Sequence, residues 1–273
     1  MELRERAIQE LKAIVDQYAA GEASVVRAYF EQPHTSEDHV EVLVRQCGRE
    51  IQTADALHKT VKMLDQLDGS VDRHEFSDLV TKIAEETTHY VLLADLAEWV
   101  AERKLSAEEL HRYEVHAAPD PGLPAAKNSN VRLPEANKML EVGRQVTAAM
   151  GYERGRACIG LSEGGGGGAF IECARLSGDE YKDRLAQAMR RILKDELRHG
   201  PEGVEAFAET WVKSESDLAD ATQWLRRFMS QHLRVRNEIW GYPLSPERLE
   251  AADRGDLPAV DLTVSDLMEV HSS

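Results

Sequence analysis

Apolar residues recur at intervals of three and four along almost the whole chain, and the alternation that is typical of strands is scarce. Pro and Gly gather in a few places, above all in the irregular segment from Ala117 to Leu133. The pattern predicts an all-α protein in which this segment connects two long helix pairs, as in a four-helix bundle. We expect one helical domain over residues 1–273, with a bundle core at about 36–212 and a C-terminal helix and tail at 216–273.

Capping residues and glycine stops predict where the helices begin and end. Asp72 and Ser106 are each followed three residues later by Glu, which is the capping-box form at a helix start. Gly21 and Gly178 are expected to end helices. The expected helices are 2–20, 24–32, 36–68, 72–104, a short one from 106, 134–177 with a bend near Gly151, 179–213 and 216–240.

Composition excludes several classes of partner. The formal net charge is -16, and a nucleic-acid partner would require neutralising Lys and Arg. No window reaches the ~18 apolar residues of a membrane span, and the charged start differs from a signal peptide, so we expect no membrane partner and a cytoplasmic location. Cys47, Cys158 and Cys173 fit neither a disulfide framework nor a zinc cluster, and we expect them to be buried.

Two predicted long helices each contain the pattern Glu-x-x-His, at Glu86 to His89 and at Glu196 to His199. Residues three apart share one helix face, so each copy presents a carboxylate and an imidazole together. A two-metal site in a helical bundle needs such a pair from each of two helices and one carboxylate from each of two others. A single copy is more often an exposed surface pair, but two copies in corresponding helices favour a metal site.

The carboxylate partner for Glu196 follows from the turn at Gly178. Antiparallel helices meet at equal distances from their turn; Glu196 lies 18 residues after it and Glu163 lies 15 before it, whereas Glu172 lies only 6 before. Choosing Glu163 places the glycines 164–168 inside a helix, at a cost of ~1 kcal/mol each relative to Ala. The alternative is a loop, which would leave the facing helix without packing. We therefore predict a helix whose glycines leave space for dioxygen or a substrate.

The carboxylate partner for Glu86 is predicted to be Glu50. It is the only charge in a run of apolar positions from Leu43 to Leu64 spaced by four and three residues, and a buried lone carboxylate is costly unless it is paired or metal-bound. Asp55 is the alternative. It matches the level of Glu86 better when counted from Gly69, but its helical neighbours are more polar.

Oxygen and imidazole ligands suit iron or manganese, whereas structural zinc usually brings thiolates. These residues resemble the ferritin-like di-iron carboxylate superfamily, and Asp195-Glu196-Leu197-Arg198-His199 is similar to the Asp-Glu-x-Arg-His form of its bacterial multicomponent monooxygenases. The resemblance implies a ferritin-like four-helix bundle with extra N- and C-terminal helices. It implies that the metal ligands are Glu50, Glu86, His89, Glu163, Glu196 and His199. Glu86 and Glu196 would be the catalytic bridges, and Asp195 and Arg198 would orient imidazoles unless they form a solvated ion pair.

The resemblance also implies an activity. We expect a non-haem di-iron oxidase or oxygenase that uses O2 as co-substrate to hydroxylate, desaturate or N-oxygenate a small organic substrate. Two Fe ions are the expected cofactor, with Fe/Mn as the alternative, and an external electron donor is the expected partner. A homodimer stays open. The alternative functions are a ferroxidase or rubrerythrin-like peroxidase and a non-enzymatic, acidic helical interaction protein.

Overall fold

The computed structural model describes residues 2–66, 72–113, 133–196 and 201–261. Within these ranges the side chains of residues 52, 54–60, 62–66, 75, 163–166, 201 and 202 lie outside the description. The described chain forms ten helices: α1 (Leu3–Phe30), α2 (Ser36–Gln66), α3 (Arg73–Ala101), α4 (Ala107–Leu110), α5 (Pro134–Met150), α6 (Tyr152–Ala174), α7 (Glu180–Glu196), α8 (Pro201–Trp211), α9 (Glu215–Ile239) and α10 (Pro246–Arg254). The regular structure of these ranges is helical throughout, which confirms the all-α prediction.

Helix starts follow the side chains that cap them. Ser106 and Glu109 form the predicted capping box, in which each side chain accepts a hydrogen bond from the other residue's backbone N–H. Asp72 accepts a hydrogen bond from the His74 backbone at 2.7 Å and thereby begins α3. Ser214 caps α9 in the same way. These local bonds explain why the predicted starts of α3, α4 and α9 agree with the structure to within one residue.

The helices group into two compact units. Unit 1 comprises Met1–Pro33 and Lys138–Ser273, and unit 2 comprises His34–Asn137. In unit 1, α1 packs against α6 and α9, and α6 also packs against α7. In unit 2, α2 and α3 pack side by side, and α4 lies against α2. The prediction of a single domain stays a prediction, as does the four-helix bundle.

Helix α1 does not end at Gly21, so the prediction of a stop there was wrong. A Cβ at Gly21 would lie 3.0 Å from Leu233 Cδ2 and 3.4 Å from the Ala252 Cβ. The glycine is therefore used for close packing of α1 against α9 and α10. Residues 18 to 26 of α1 are all buried, which is the pattern of a helix enclosed on every side.

The glycine run lies within a helix, as predicted, because α6 continues from Tyr152 to Ala174. The expected bend near Gly151 is a complete break, since Gly151 has φ of 81° and separates α5 from α6. At Gly168 the close neighbour is protein backbone: an added Cβ would lie 2.1 Å from the carbonyl oxygen of Ala19 on α1. At Gly167 it would meet nothing within 4 Å. Gly168 therefore serves the crossing of α1 and α6.

The three cysteines are buried, as the sequence predicted. Burial raises the pKa of the Cys158 thiol to about 12, and it also raises the pKa of Cys47 and Cys173. Such thiols remain protonated at neutral pH and pack as small apolar side chains. Among the described residues, no helix combines the length and the apolar character that crossing a lipid bilayer requires.

Candidate metal centre

Three of the six predicted ligands lie together in unit 2, between α2 and α3. Glu50 projects from α2, while Glu86 and His89 project from the same face of α3, three residues apart. Their ligand atoms, one from each residue, all lie within 4.8 Å of one another. The helix pair therefore brings together two carboxylates and one imidazole that are separated by up to 39 positions in the sequence.

The cluster is withdrawn from solvent. Glu50 is 5% exposed and His89 is 1% exposed, and the Glu86 side chain is 15% exposed. His89 Nδ1 lies 3.8 Å from Glu50 Oε2 and 3.9 Å from Glu86 Oε2. These distances exceed hydrogen-bonding range, so neither pair is in direct hydrogen-bond contact through these atoms.

A hydrogen bond within its own helix holds the Glu50 side chain. The side-chain amide of Gln46, one turn earlier on α2, donates to Glu50 Oε1 at 2.6 Å, and both residues are buried. Burial alone raises the pKa of Glu50, but interactions with His89, Glu86 and Gln46 together outweigh burial and lower it below the ordinary carboxyl value. Glu50 is therefore a carboxylate at neutral pH.

The donor atoms fit a metal ion. Imidazole nitrogen and carboxylate oxygen lie about 2.0–2.2 Å from a bound metal such as zinc, so two donors on one ion are at most about 4.4 Å apart. The distances from His89 Nδ1 to Glu50 and to Glu86, 3.8 and 3.9 Å, are below this limit. Two carboxylates and one imidazole form a donor set that iron, manganese and zinc all accept.

The other three predicted ligands belong to unit 1, and the structure describes only part of this set. Glu196 is the last residue of α7 and is half-buried. The side chain of Glu163, on α6, and the whole of His199 lie outside the described residues, as does the Asp55 side chain, the alternative to Glu50. Their roles stay predictions. The predicted helix 179–213 is present as α7 and α8, with residues 197–200 outside the description.

Asp195, predicted to orient a ligand imidazole, is buried at the end of α7. A buried carboxylate differs from the solvated ion pair that was the alternative for this residue. Its predicted partner Arg198 lies outside the described residues. The burial of Asp195 is compatible with a role inside the protein next to Glu196.

A second buried cluster of charged side chains was not anticipated from the sequence. Glu22 on α1 is fully buried and meets two residues of α9, His232 and Arg236. His232 Nδ1 lies 2.6 Å from Glu22 Oε1, and Arg236 Nε donates to Glu22 Oε2 at 3.2 Å. The Arg236 guanidinium also lies 5.0 Å from the ring centre of Phe170 on α6. The cluster thus joins the three helices at the centre of unit 1.

The electrostatics of this second cluster are those of an internal ion pair. Burial raises the pKa of Glu22, but the charges of Arg236 and His232 and their hydrogen bonds outweigh it, so the pKa is lowered. The sequence did contain a signal, because Glu22 is the only charge between Tyr18 and Val26. The same criterion selected Glu50, but Glu22 has no neighbouring Glu-x-x-His on a consecutive helix.

A cleft of about 720 Å³ lies in unit 2, bounded by the start of α2, the end of α3 and α4. Both of its arginines are paired, Arg103 with Glu109 and Arg112 with Glu41. The lining residue Val44 precedes Glu50 by six residues, which is about 9 Å along an α-helix. The volume is in the range that small-molecule ligands occupy.

Comparison with known proteins identifies no relative: no family model, no curated protein and no solved structure matches this chain. The residues of the two clusters therefore carry the functional argument.

Proposed function

We propose that this protein is a non-haem di-iron oxidoreductase that uses O2 to oxidise a small organic substrate. The observation that carries the proposal is the buried cluster of Glu50, Glu86 and His89 in unit 2. Two carboxyl groups and one imidazole lie together in an environment with little access to water, and a bound cation would use all three as ligands.

In this proposal Glu50, Glu86 and His89 hold one half of the metal centre. Glu163, Glu196 and His199, the other three ligands that the resemblance implies, are proposed for the second ion. Two observations support the second half: α6 remains helical through its glycines, and Asp195 beside Glu196 is buried.

The chemistry divides between the metal and the protein. Bound ferrous ions supply the electrons with which dioxygen is reduced, and an external donor restores them between turnovers. The protein holds the ligands in place and excludes water. Buried apolar side chains on both helices, Leu43 and Cys47 on α2 and Leu93 on α3, lie within two turns of the ligands. The cleft that contains Val44 has the size for a small substrate.

Metal analysis combined with a spectroscopic measurement tests this proposal. The full chain is loaded with Fe²⁺ without oxygen, its iron content is measured, and the absorbance change on oxygen addition is recorded. We expect two iron ions per chain and a transient absorbance. Well under one ion per chain would contradict metal binding and favour the non-enzymatic alternative. Iron that is oxidised and then accumulates, with no substrate oxidised, would indicate a ferroxidase.

A matched pair of histidine variants assigns the metal to the cluster. His34 Nδ1 lies 3.8 Å from Asp38 Oδ2, the same distance as His89 Nδ1 from Glu50 Oε2. The side chains of His34 and Asp38 are far more exposed than those of the buried pair. His89→Ala should lower the iron content and remove the transient absorbance, whereas His34→Ala should change neither. Equal behaviour of the two variants would exclude His89 as a ligand.

A further inference from the structure

We infer that Gln46 is a positioning residue for the metal centre, because its side-chain amide holds Glu50 with one oxygen occupied and the other facing His89. The inference rests on the proposed function, since Gln46 can position a metal ligand only if Glu50 is one. Gln46 itself is not placed among the ligands.

The two oxygens of Glu50 have different surroundings. Oε1 accepts the Gln46 amide at 2.6 Å, and Oε2 is the atom 3.8 Å from His89 Nδ1. An oxygen that already accepts a hydrogen bond has one lone pair left, so the other oxygen of the carboxylate is the better ligand for an ion. Gln46 therefore selects which oxygen of Glu50 faces the neighbouring ligands and limits rotation of the carboxylate.

Helix geometry and burial make this contact effective. Gln46 and Glu50 are one turn apart on α2, so the amide approaches along the helix axis and keeps its position relative to Glu50. Gln46 is 7% exposed and Glu50 is 5% exposed. A hydrogen bond to a charged group in such a dry environment is stronger than one on the surface. Partners of this kind orient metal ligands, and their loss typically weakens metal affinity about tenfold to a hundredfold.

Two substitutions at Gln46 test the role, and one substitution elsewhere serves as the control. Gln46→Met keeps an unbranched side chain of similar length but removes the donor. Gln46→Glu keeps the shape but replaces the donor with an acceptor. The control is Gln145→Met, because Gln145 donates to Glu141 Oε1 at 3.0 Å, also one turn away, on the exposed face of α5.

The measurement is the Kd of the full chain for Co²⁺ by calorimetric titration, together with the visible absorption of the bound ion. We expect Gln46→Met to raise the Kd about tenfold to a hundredfold, and we expect both variants to alter the absorption bands. Gln145→Met should change neither. Unfolding temperatures of the metal-free variants should stay within about 4 °C of the wild type, the equivalent of about 1 kcal/mol. If Gln46→Met does not fold, Gln46→Glu alone decides.

Two different failures can be told apart. A Kd within twofold of the wild type and an unchanged spectrum for the Gln46 variants would overturn the positioning role while leaving the metal centre intact. A wild-type protein that does not bind Co²⁺, or a His89→Ala variant that binds it as well as the wild type, would overturn the proposed function and the role of Gln46 with it.

Discussion

In the part of the chain that the structure describes, Glu22 is the centre of a buried cluster of charged side chains in unit 1, and Glu50 belongs to another in unit 2. In unit 1, the single carboxylate of Glu22 meets the guanidinium of Arg236 and the imidazole of His232. In unit 2, two carboxylates, Glu50 and Glu86, face the imidazole of His89. The first cluster contains a guanidinium beside its carboxylate, whereas the second brings two carboxyl groups together with one imidazole.

On this difference we propose a structural role for the Glu22 cluster and a metal-binding role for the Glu50 cluster. A buried carboxylate is costly unless a cation compensates it, and Arg236 provides this compensation for Glu22 within the fold. Glu50 and Glu86 lie beside one imidazole, and under the proposal a bound metal ion adds positive charge there. Under the proposal, Glu and His therefore form an internal ion pair with an arginine in unit 1 and a metal site in unit 2.

The largest expected effect comes from removing the counter-charge in unit 1. Arg236→Leu leaves Glu22 buried without its guanidinium, and we expect the free energy of unfolding to fall by about 3–5 kcal/mol. Urea denaturation at pH 7 measures this loss. Replacing both residues, as Glu22→Leu with Arg236→Leu, should recover most of it, because no buried charge then lacks a partner. A loss under 1 kcal/mol for Arg236→Leu would remove the contrast between the clusters.

The second effect should appear in metal affinity and not in stability. Glu86→Gln is expected to raise the Kd for Fe²⁺ or Co²⁺ by more than about a hundredfold, equivalent to about 2.7 kcal/mol. The metal-free protein should stay within about 1 kcal/mol of the wild-type stability, because the Gln amide has the shape of the carboxyl group and can still form hydrogen bonds. Glu22→Gln is the matched control and should show the reverse: lower stability and unchanged affinity. If Glu86→Gln binds metal normally, the unit 2 cluster is not the metal site.

A smaller effect is expected at the crossing of α1 and α6, which lies next to the Glu22 cluster. Gly168→Ala places a Cβ against the Ala19 backbone and should destabilise the protein by about 1–3 kcal/mol. Gly167→Ala, with nothing within 4 Å of its Cβ, should stabilise it by up to about 1 kcal/mol because alanine favours the helix. Thermal unfolding distinguishes the two. Equal shifts for both variants would show that α1 does not require the glycine.

The smallest effect should appear on acidification. The pKa of Glu22 is lowered in the folded protein by Arg236 and His232, so the unfolded chain takes up this proton first as the pH falls. The contribution of Glu22 to stability is therefore complete above the ordinary carboxyl pKa of about 4.3 and declines below it. The stability difference between wild type and Glu22→Gln should shrink by roughly half a kcal/mol between pH 7 and pH 4. A difference that grows on acidification would contradict the lowered pKa.

Much of the helical structure could be predicted from the sequence because its causes are local. Capping by Asp72 and Ser106 involves residues two or three positions apart, and apolar spacing defines α2 and α3 in the same way. The sequence also predicted that three of the six proposed ligands lie together. Glu86 and His89 are three residues apart on one helix, and Glu50 is the single charge in an apolar run.

The contacts that were missed depend on residues far apart in the sequence. Gly21 was predicted to end a helix because glycine is a poor helix former, but packing against Leu233 outweighs that preference. The glycines of α6 were expected to make space for a ligand, yet at Gly168 the space is filled by the Ala19 backbone. Such outcomes depend on which helix faces meet.

The sequence by itself determined that this chain is helical, where most helices begin, and which helix faces carry Glu and His, since these depend on neighbours within about four residues. Only the tertiary structure decided that Glu22 has Arg236 as its partner while Glu50 lies beside Glu86 and His89. The physical reason is that a buried charge is stabilised by whatever group is brought within a few ångströms of it, and packing between distant segments chooses that group.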